Sequence, residues 1–277
     1  MEKIAYFDNL PQKFQSGNTE ALTAFGRHIH WGYWQQPALA DGSLTDFSKA
    51  AEALSIRMAE TAKVKDGMSI LDAGCGFGGT IANLNERFYQ FNLVGVNIDE
   101  QQVKRAREIV KPLGENKIEF VCADACKLPF ADKSFDVVFA LECIFAFPSR
   151  LRFFQEARRV LKSGGKLVIC DFLPVEFIGL FWRYSEKLLK PLVARTYGAF
   201  SINFCTVSEY EKLAQTTGFR LAGVDDITVN TLPTYPVVNE LMLAEGDRET
   251  YWATKGLEIV SRLGLLKYMI LDFSMEE

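Results

Sequence analysis

Ile70-Leu71-Asp72-Ala73-Gly74-Cys75-Gly76-Phe77-Gly78-Gly79 is the stretch that decides the fold. It joins a short apolar run, Met68 to Asp72, to Ile81, Leu84 and Phe88, which recur at helical spacing. An apolar run closed by glycines and followed by such a helix reads as a buried strand turning sharply into a helix. In a parallel sheet that turn lies at the carboxyl end of the strand, where open α/β sheets bind ligands. Gly74, Gly76 and Gly79 also satisfy G-x-G-x-x-G, so the glycines alone do not choose between a dinucleotide and another ligand.

The same alternation continues downstream. Asn92 to Ile98 reads as a second strand, followed by Val103, Ala106, Ile109 and Val110 on one helical face, with Pro112 and Gly114 as the stop. Strand-like runs return at Lys117 to Cys122, Phe135 to Leu141 and Lys166 to Asp171. Between the last two, Phe154, Ala157, Val160 and Leu161 predict a helix ending at Gly164 and Gly165. Repeated β-α units predict an α/β fold, a mostly parallel sheet with helices on both faces.

Three regions lie outside this repeat. Residues 1–66 read as a helical lid, with Phe47, Ala51, Leu54 and Met58 in helical register. Residues 172–205 are rich in aromatics, among them Phe172, Phe177, Phe181, Trp182, Tyr184, Tyr197, Phe200 and Phe204. They follow a strand end directly and are expected to cover an acceptor pocket. Thr206 and Glu209 form a capping-box pattern that starts a further helix. The tail predicts a strand near Leu221 to Thr228, helix from Val237 to Leu266, and a last apolar run at Tyr268 to Phe273. The economical division is one domain over 1–277, with 67–171 as the ligand-binding core and 206–277 completing it.

Composition narrows the partners. The 277 residues are 48% hydrophobic and 24% charged, ample for a large core and unlike a disordered chain. The net charge of -4 comes with no basic block, which argues against a nucleic-acid partner. The first residues, MEKIAYFDNL, lack a signal-peptide pattern. The longest apolar stretch, Phe172 to Trp182, is interrupted by Glu176 and is too short to span a bilayer. Six cysteines without a CxxC pair argue against a disulfide framework and fit a reducing compartment, so a cytoplasmic location is expected. The only histidines, His28 and His30, have no cysteine cluster nearby, and no metal is expected.

Three features beyond the glycines bear on the ligand. Asp72 precedes the loop, where an acid would repel a pyrophosphate and attract an ammonium group. Asn97 stands at the end of the second strand, where NAD enzymes place an acid on the ribose. Asp124-Ala125 is followed by Leu128-Pro129-Phe130-Ala131-Asp132-Lys133-Ser134-Phe135-Asp136. With Leu71 to Gly79, this combination resembles class I S-adenosylmethionine-dependent methyltransferases over residues 60–235. The likeness is to the small-molecule group that includes tocopherol, sterol and natural-product tailoring enzymes. His30-Trp31-Gly32-Tyr33-Trp34 is similar to the H-x-G-Y-W segment of that group's amino-terminal lid.

The resemblance implies a Rossmann-like fold, S-adenosylmethionine as donor, S-adenosylhomocysteine as product and a small-molecule acceptor. It implies that Asp72 and the backbone of Gly74, Cys75 and Gly76 hold the methionine end, with Tyr33 reaching the cofactor from the lid. Asn97 and Gln102 would take the ribose hydroxyls, and Ile98 would pack on adenine. Asp124 would accept from the adenine amino group beside the Ala125 amide, and Leu141 would line the methionine. Read without the resemblance, Gln102 equally completes a capping box with Asp99, Asp124 serves a turn, and Ile98 is ordinary core.

For chemistry, some relatives place a histidine a few residues after the fourth strand; here that position is Ala146. Asp171, at the end of the fifth strand, is the first expectation for a base, and His30 the second. Glu142 reads as a buried hydrogen-bonding scaffold. O-methylation of a lipophilic natural-product-like acceptor is the leading expectation, with N- or C-methylation as the close alternative. An NAD-linked oxidoreductase is disfavoured by Asn97 and Asp124, and a non-catalytic S-adenosylmethionine-binding module is the rival of a different class.

Overall fold

The computed structural model describes residues 26–179, 204–244 and 246–275. Seven strands form one sheet in the order β3-β2-β1-β4-β5-β7-β6. They are β1 (Ser69–Ala73), β2 (Asn92–Asn97), β3 (Lys117–Cys122), β4 (Phe135–Leu141), β5 (Leu161–Pro174), β6 (Phe219–Asp226) and β7 (Leu266–Met275). β1 to β5 pair in parallel, and β7 runs antiparallel to both β5 and β6. From β1 the chain winds outward through β2 and β3, then returns to place β4 and β5 on the other side of β1. That reversal opens a crevice at the carboxyl ends of β1 and β4.

The strands alternate their burden between two cores because successive side chains point to opposite faces. Ile70 and Leu93 face a cluster completed by α1 (Leu44–Ala62), α2 (Gly79–Arg87) and α3 (Glu100–Ile109). Leu71 and Val94 face the other cluster, which receives Phe154 and Ala157 of α4 (Arg150–Val160) and Tyr210 of α5 (Val207–Thr216). In α1, Ser43 caps the start by accepting from the Asp46 amide, and Lys63 ends it in the left-handed conformation. Its stripe of Phe47, Leu54 and Met58 is wholly buried, at about 1.5–3 kcal/mol for each side chain. The capping box at Thr206 and Glu209 is present at the start of α5.

Several boundaries differ from the sequence expectation. α4 stops at Val160 rather than at the glycines, because Leu161 already pairs with Phe135 in the sheet. Ile109 is 47% exposed and does not share the buried face of α3. The tail helix is two helices, α6 (Thr234–Ala244) and α7 (Arg248–Arg262), separated at Gly246 with φ +73°. Thr228 begins a single helical turn to Thr231 instead of closing β6. Of residues 26–66, only α1 is α-helical; Arg27 to Gln36 is an irregular strap followed by one 3-10 turn, Pro37–Leu39. Phe181, Trp182, Tyr184, Tyr197 and Phe200 lie outside the described residues.

Among the described residues, no helix is long and apolar enough to cross a membrane. Nor does any group of His, Cys, Asp or Glu side chains among them suit a metal ion. All six cysteines are free thiols.

Candidate functional site

The glycine loop turns its amides inward. Gly74 adopts φ +89°, and the amides of Gly74 and Cys75 both donate to the Val96 carbonyl, at 2.7 and 2.9 Å. The Gly78 amide donates to the Cys75 carbonyl at 2.8 Å. A phosphate-binding loop needs such N–H groups free to point at the anion. Here the amides of Gly74, Cys75 and Gly78 are committed to the sheet and to the loop itself.

The loop instead borders a cavity of about 410 Å³ at the carboxyl ends of β1, β2 and β4, walled on one side by His28, Ile29 and His30 of the strap. Four carboxylates line it, Asp72, Asp99, Asp124 and Glu142, and no lysine or arginine among the described residues does. Asp72 is the deepest of these, 2% exposed, and no described residue donates to it. Burial alone pushes its pKa up to about 7. A buried carboxyl facing a cavity without a partner suits a ligand that brings a cation or an ammonium donor. The wall is hostile to a phosphate and complementary to a positive charge.

The β2 end carries a polar bracket. Asn97 donates through Nδ2 to Gln102 Oε1 at 3.0 Å and accepts from the Asp99 amide at 3.0 Å. Asp99 caps α3 by accepting from the Gln101 amide, while Gln102 Nε2 reaches its second oxygen at 3.4 Å. Gln102 therefore braces the cap side chain rather than the cap backbone, and a full capping box is absent. Ile98 is 52% exposed although apolar, and it lines the cavity. That is unlike core packing and gives a flat ring a surface to lie on. Asp124 accepts from the Cys126 amide at 2.8 Å, so it does serve a turn, and it also borders the cavity beside Ala125.

Gly74, Cys75, Gly76 and Leu141 complete the same wall, so ten of the eleven residues expected on the cofactor border one cavity. Tyr33 is the exception. Its amide donates to the Ala50 carbonyl at 2.8 Å, and its ring packs against the apolar cluster that contains Leu54 and Met58, away from the cavity. His28, Ile29 and His30 of the strap border the cavity, whereas Tyr33 lies further along it and packs on the core.

Of the two expected bases, His30 borders the cavity and Asp171 does not. Asp171 is 2% exposed and does not border this cavity. Its carboxylate accepts from Tyr210 Oη at 3.2 Å and from the Phe172 amide at 2.8 Å, and Arg150 stands 3.7 Å away. Burial raises its pKa to about 6 against the opposing pull of Arg150. It ties β5 to α4 and α5 rather than opening toward the strap. His30 does border the cavity, but Nδ1 is 2.9 Å from the Trp31 carbonyl and Nε2 is 3.5 Å from Ser55 Oγ. Burial, helped by neighbouring His28, drives its pKa down to about 3, too low for a strong base.

Glu142 is the group whose importance sequence reasoning understated. It follows β4 in the left-handed conformation, φ +48°, its amide held by the Cys170 carbonyl at 2.9 Å. Oε1 accepts from the Trp31 amide at 2.8 Å and from the Tyr268 hydroxyl. It is thus the expected scaffold, clasping the strap to β7. It also lines the cavity, and no described donor reaches Oε2. Burial lifts its pKa to about 8 despite the two donors. Ala146, Phe147 and Pro148 continue the wall beyond it, so the position where relatives place histidine is at the cavity but carries only a methyl group. Trp31, whose amide Glu142 holds, sits in an aromatic box with centroids at 5.1 Å from Phe172 and 4.2 Å from Tyr235.

Comparison with known proteins agrees with this geometry. Residues 71–169 match a family model described as a methyltransferase domain. The chain is 30% identical to 27-O-demethylrifamycin SV methyltransferase of Amycolatopsis mediterranei, over 81% of this chain and 78% of that protein. It is 29% identical to methyltransferase GfsG of Streptomyces halstedii, over 81% and 77% of the two chains. The fold is similar to that of the [4+2]-cyclase SpnF, with a TM-score of 0.76 over 97% of this chain and 94% of that one, at 22% identity.

Proposed function

The chain belongs to the class I S-adenosylmethionine-dependent methyltransferases, with S-adenosylmethionine as its cofactor, and from that premise we propose that it methylates a hydroxyl oxygen of a small, lipophilic, natural-product-like acceptor. The observation that carries the reading is the wall of four carboxylates without a lysine or arginine among the described residues, with Asp72 buried and unpartnered at its base. When bound, S-adenosylmethionine supplies an electrophilic methyl group on a positively charged sulfur. In this reading Asp72 would take the ammonium end, and Asn97 with Gln102 the ribose hydroxyls. Ile98, Asp124 and Ala125 would form the adenine side, and Gly74, Cys75, Gly76 and Leu141 the remaining wall. Residues 172–205 would cover the acceptor, and the whole chain would act as one catalytic domain.

The task left to the chain is to align the acceptor, exclude water and remove a proton. Alignment alone is worth several kcal/mol, up to about 7–11 in favourable cases. Glu142 replaces Asp171 and His30 as the group best placed to take the proton. It borders the cavity with a free oxygen, is held by two donors on the other, and has a pKa near working pH, where a general base is most effective. Oxygen as the methylated atom is supported by the similarity to 27-O-demethylrifamycin SV methyltransferase.

The test is incubation with S-adenosylmethionine carrying a ¹³C methyl group and a panel of phenolic, enolic and macrolide alcohols. A product whose labelled carbon resonates as a methyl ether supports the reading. A carbon- or nitrogen-bound label moves it to the close alternatives. Cofactor binding with no labelled product from any acceptor would favour the non-catalytic module.

A further inference from the structure

Glu142 has an unusual division of labour between its two oxygens. Oε1 is saturated by the Trp31 amide and the Tyr268 hydroxyl, while no described donor reaches Oε2 of a side chain that lines the cavity. Of the other carboxylates in that wall, Asp99 and Asp124 stand after β2 and β3 and already accept backbone amides, from Gln101 and Cys126. Asp72 lies at the end of β1, where it suits an ammonium group. Glu142 is what remains for a second positive charge, at the end of β4 beside Leu141. No lysine or arginine among the described lining residues competes for it.

S-adenosylmethionine carries a charge that its product lacks: transfer of the methyl group turns a sulfonium into a neutral thioether. We propose that Glu142 reads this difference, so that its carboxylate selectively holds the charged donor and lets go of the neutral product. The inference rests on the cofactor assignment and goes beyond it, since it names the residue that separates substrate form from product form. A charge–charge interaction in a water-poor cavity is much stronger than at the surface, so one carboxylate suffices for a sizeable discrimination. The scaffold role explains how the charge is kept in place. Tyr268 and Trp31 both hold Oε1, which leaves Oε2 without a described donor on a side chain that lines the cavity.

Burial keeps a proton on Glu142 near neutral pH in the empty protein. The titratable groups around it are Asp72 across the cavity, Cys143 beside it, Cys170 and Asp171 from β5, Tyr268 from β7 and His30 from the strap. The thiols and the tyrosine stay protonated below pH 8 and His30 stays neutral, so the carboxyls are the groups free to respond. Asp72 would respond alike to donor and product, because both carry the same ammonium group. Glu142 alone would respond to the sulfonium.

The experiment is isothermal titration of the full chain with S-adenosylmethionine and, separately, S-adenosylhomocysteine. Each is measured at pH 7.5 in two buffers of different ionisation enthalpy. The unsubstituted protein should release more protons on binding the donor than on binding the product. Glu142→Gln keeps an acceptor for Trp31 and Tyr268 but removes the charge. It should lose about tenfold or more in affinity for the donor, leave the product within about twofold, and abolish the difference in proton release. Glu142→Asp should retain the preference for the donor. Equal losses for both ligands in the Gln variant would assign Glu142 to holding the strap and overturn the proposal. Equal proton release in the unsubstituted protein would overturn it even if that variant does not fold. Failure of the unsubstituted protein to bind either ligand would overturn the cofactor assignment and this inference together.

Discussion

Gly74 and Cys143 meet with no room for a side chain between them. A Cβ at position 74 would stand 2.5 Å from the Cys143 Cβ and 2.7 Å from its sulfur. The thiol in turn donates to the Ala73 carbonyl at 2.8 Å. This contact joins the end of β1 to the turn after β4, on the two sides of the ligand crevice. The glycine is therefore required by packing and by its φ of +89° as much as by any ligand. Gly74→Ala should cost about 1–3 kcal/mol from backbone strain alone, with the clash in addition. Cys143→Gly in the same chain should recover the steric part and leave the strain. Thermal melts of the two variants and the unsubstituted chain check this, and an unshifted midpoint for Gly74→Ala would contradict it.

The parallel core was legible because its signals are local. Lys117–Cys122 and Phe135–Leu141 are strands to the residue, since each is a short strand-like run with turn signals nearby. What escaped was set by distant partners. The end of α4 depends on Leu161 pairing with Phe135, and no local feature at Leu161 announces that. Ten cofactor-side residues converge on one cavity because motif and topology agree there, whereas Tyr33 packs on the core through the path of an irregular strap that carries no periodicity. The chemistry was harder still. Asp171 was expected to end the fifth strand, but β5 runs on to Pro174, and the carboxylate's direction is fixed by Arg150 and Tyr210 from helices 20 or more residues away in sequence. Glu142 gains its role only when Trp31 and Tyr268 arrive from opposite ends of the chain.

Asp72→Asn should weaken S-adenosylhomocysteine binding by about ten- to a hundredfold, the equivalent of one charged hydrogen-bonding interaction of about 1.5–3 kcal/mol. Binding of 5′-methylthioadenosine, which lacks the amino-acid end, should be unchanged. The contrast separates loss of an ammonium partner from a general collapse of the cavity. Calorimetry with both ligands decides it, and equal losses would place Asp72 in a structural role.

Asp171→Asn is expected to act on stability first. The carboxylate balances Arg150, whose side chain is only 9% exposed, and removing one member of a buried pair costs about 3 kcal/mol or more. Cofactor affinity of the folded variant should stay within about twofold, because Asp171 does not border the cavity. Denaturant unfolding and cofactor titration on the same sample check both halves. A stable variant with lost affinity would return Asp171 to the site.

The pH dependence of the empty protein follows from the two cavity acids. Glu142 and Asp72 have native pKa values of about 8 and about 7, both raised by burial above the ordinary carboxyl range. A raised pKa means that the folded chain holds its proton where the unfolded chain has lost it. Their stabilising contribution is therefore present at low pH and is lost as pH rises through those values. His30 works the other way, since its pKa falls to about 3, but that effect is complete once pH exceeds the ordinary histidine value near 6.5. The carboxylates held low by partners, Glu52 and Glu156 among them, are fully ionised in both states by then. Between pH 6.5 and about 8, the melting temperature of the cofactor-free protein should accordingly fall. S-adenosylmethionine should reverse much of that fall, because a cationic ligand favours the ionised acids and binds more tightly as they lose their protons. Melting curves at half-unit pH steps, with and without saturating cofactor, test the sign directly. A midpoint that rises across this interval in the empty protein would mean that Asp72 and Glu142 are ionised without a ligand, and that the cavity is wetter than its apolar walls and buried acids imply.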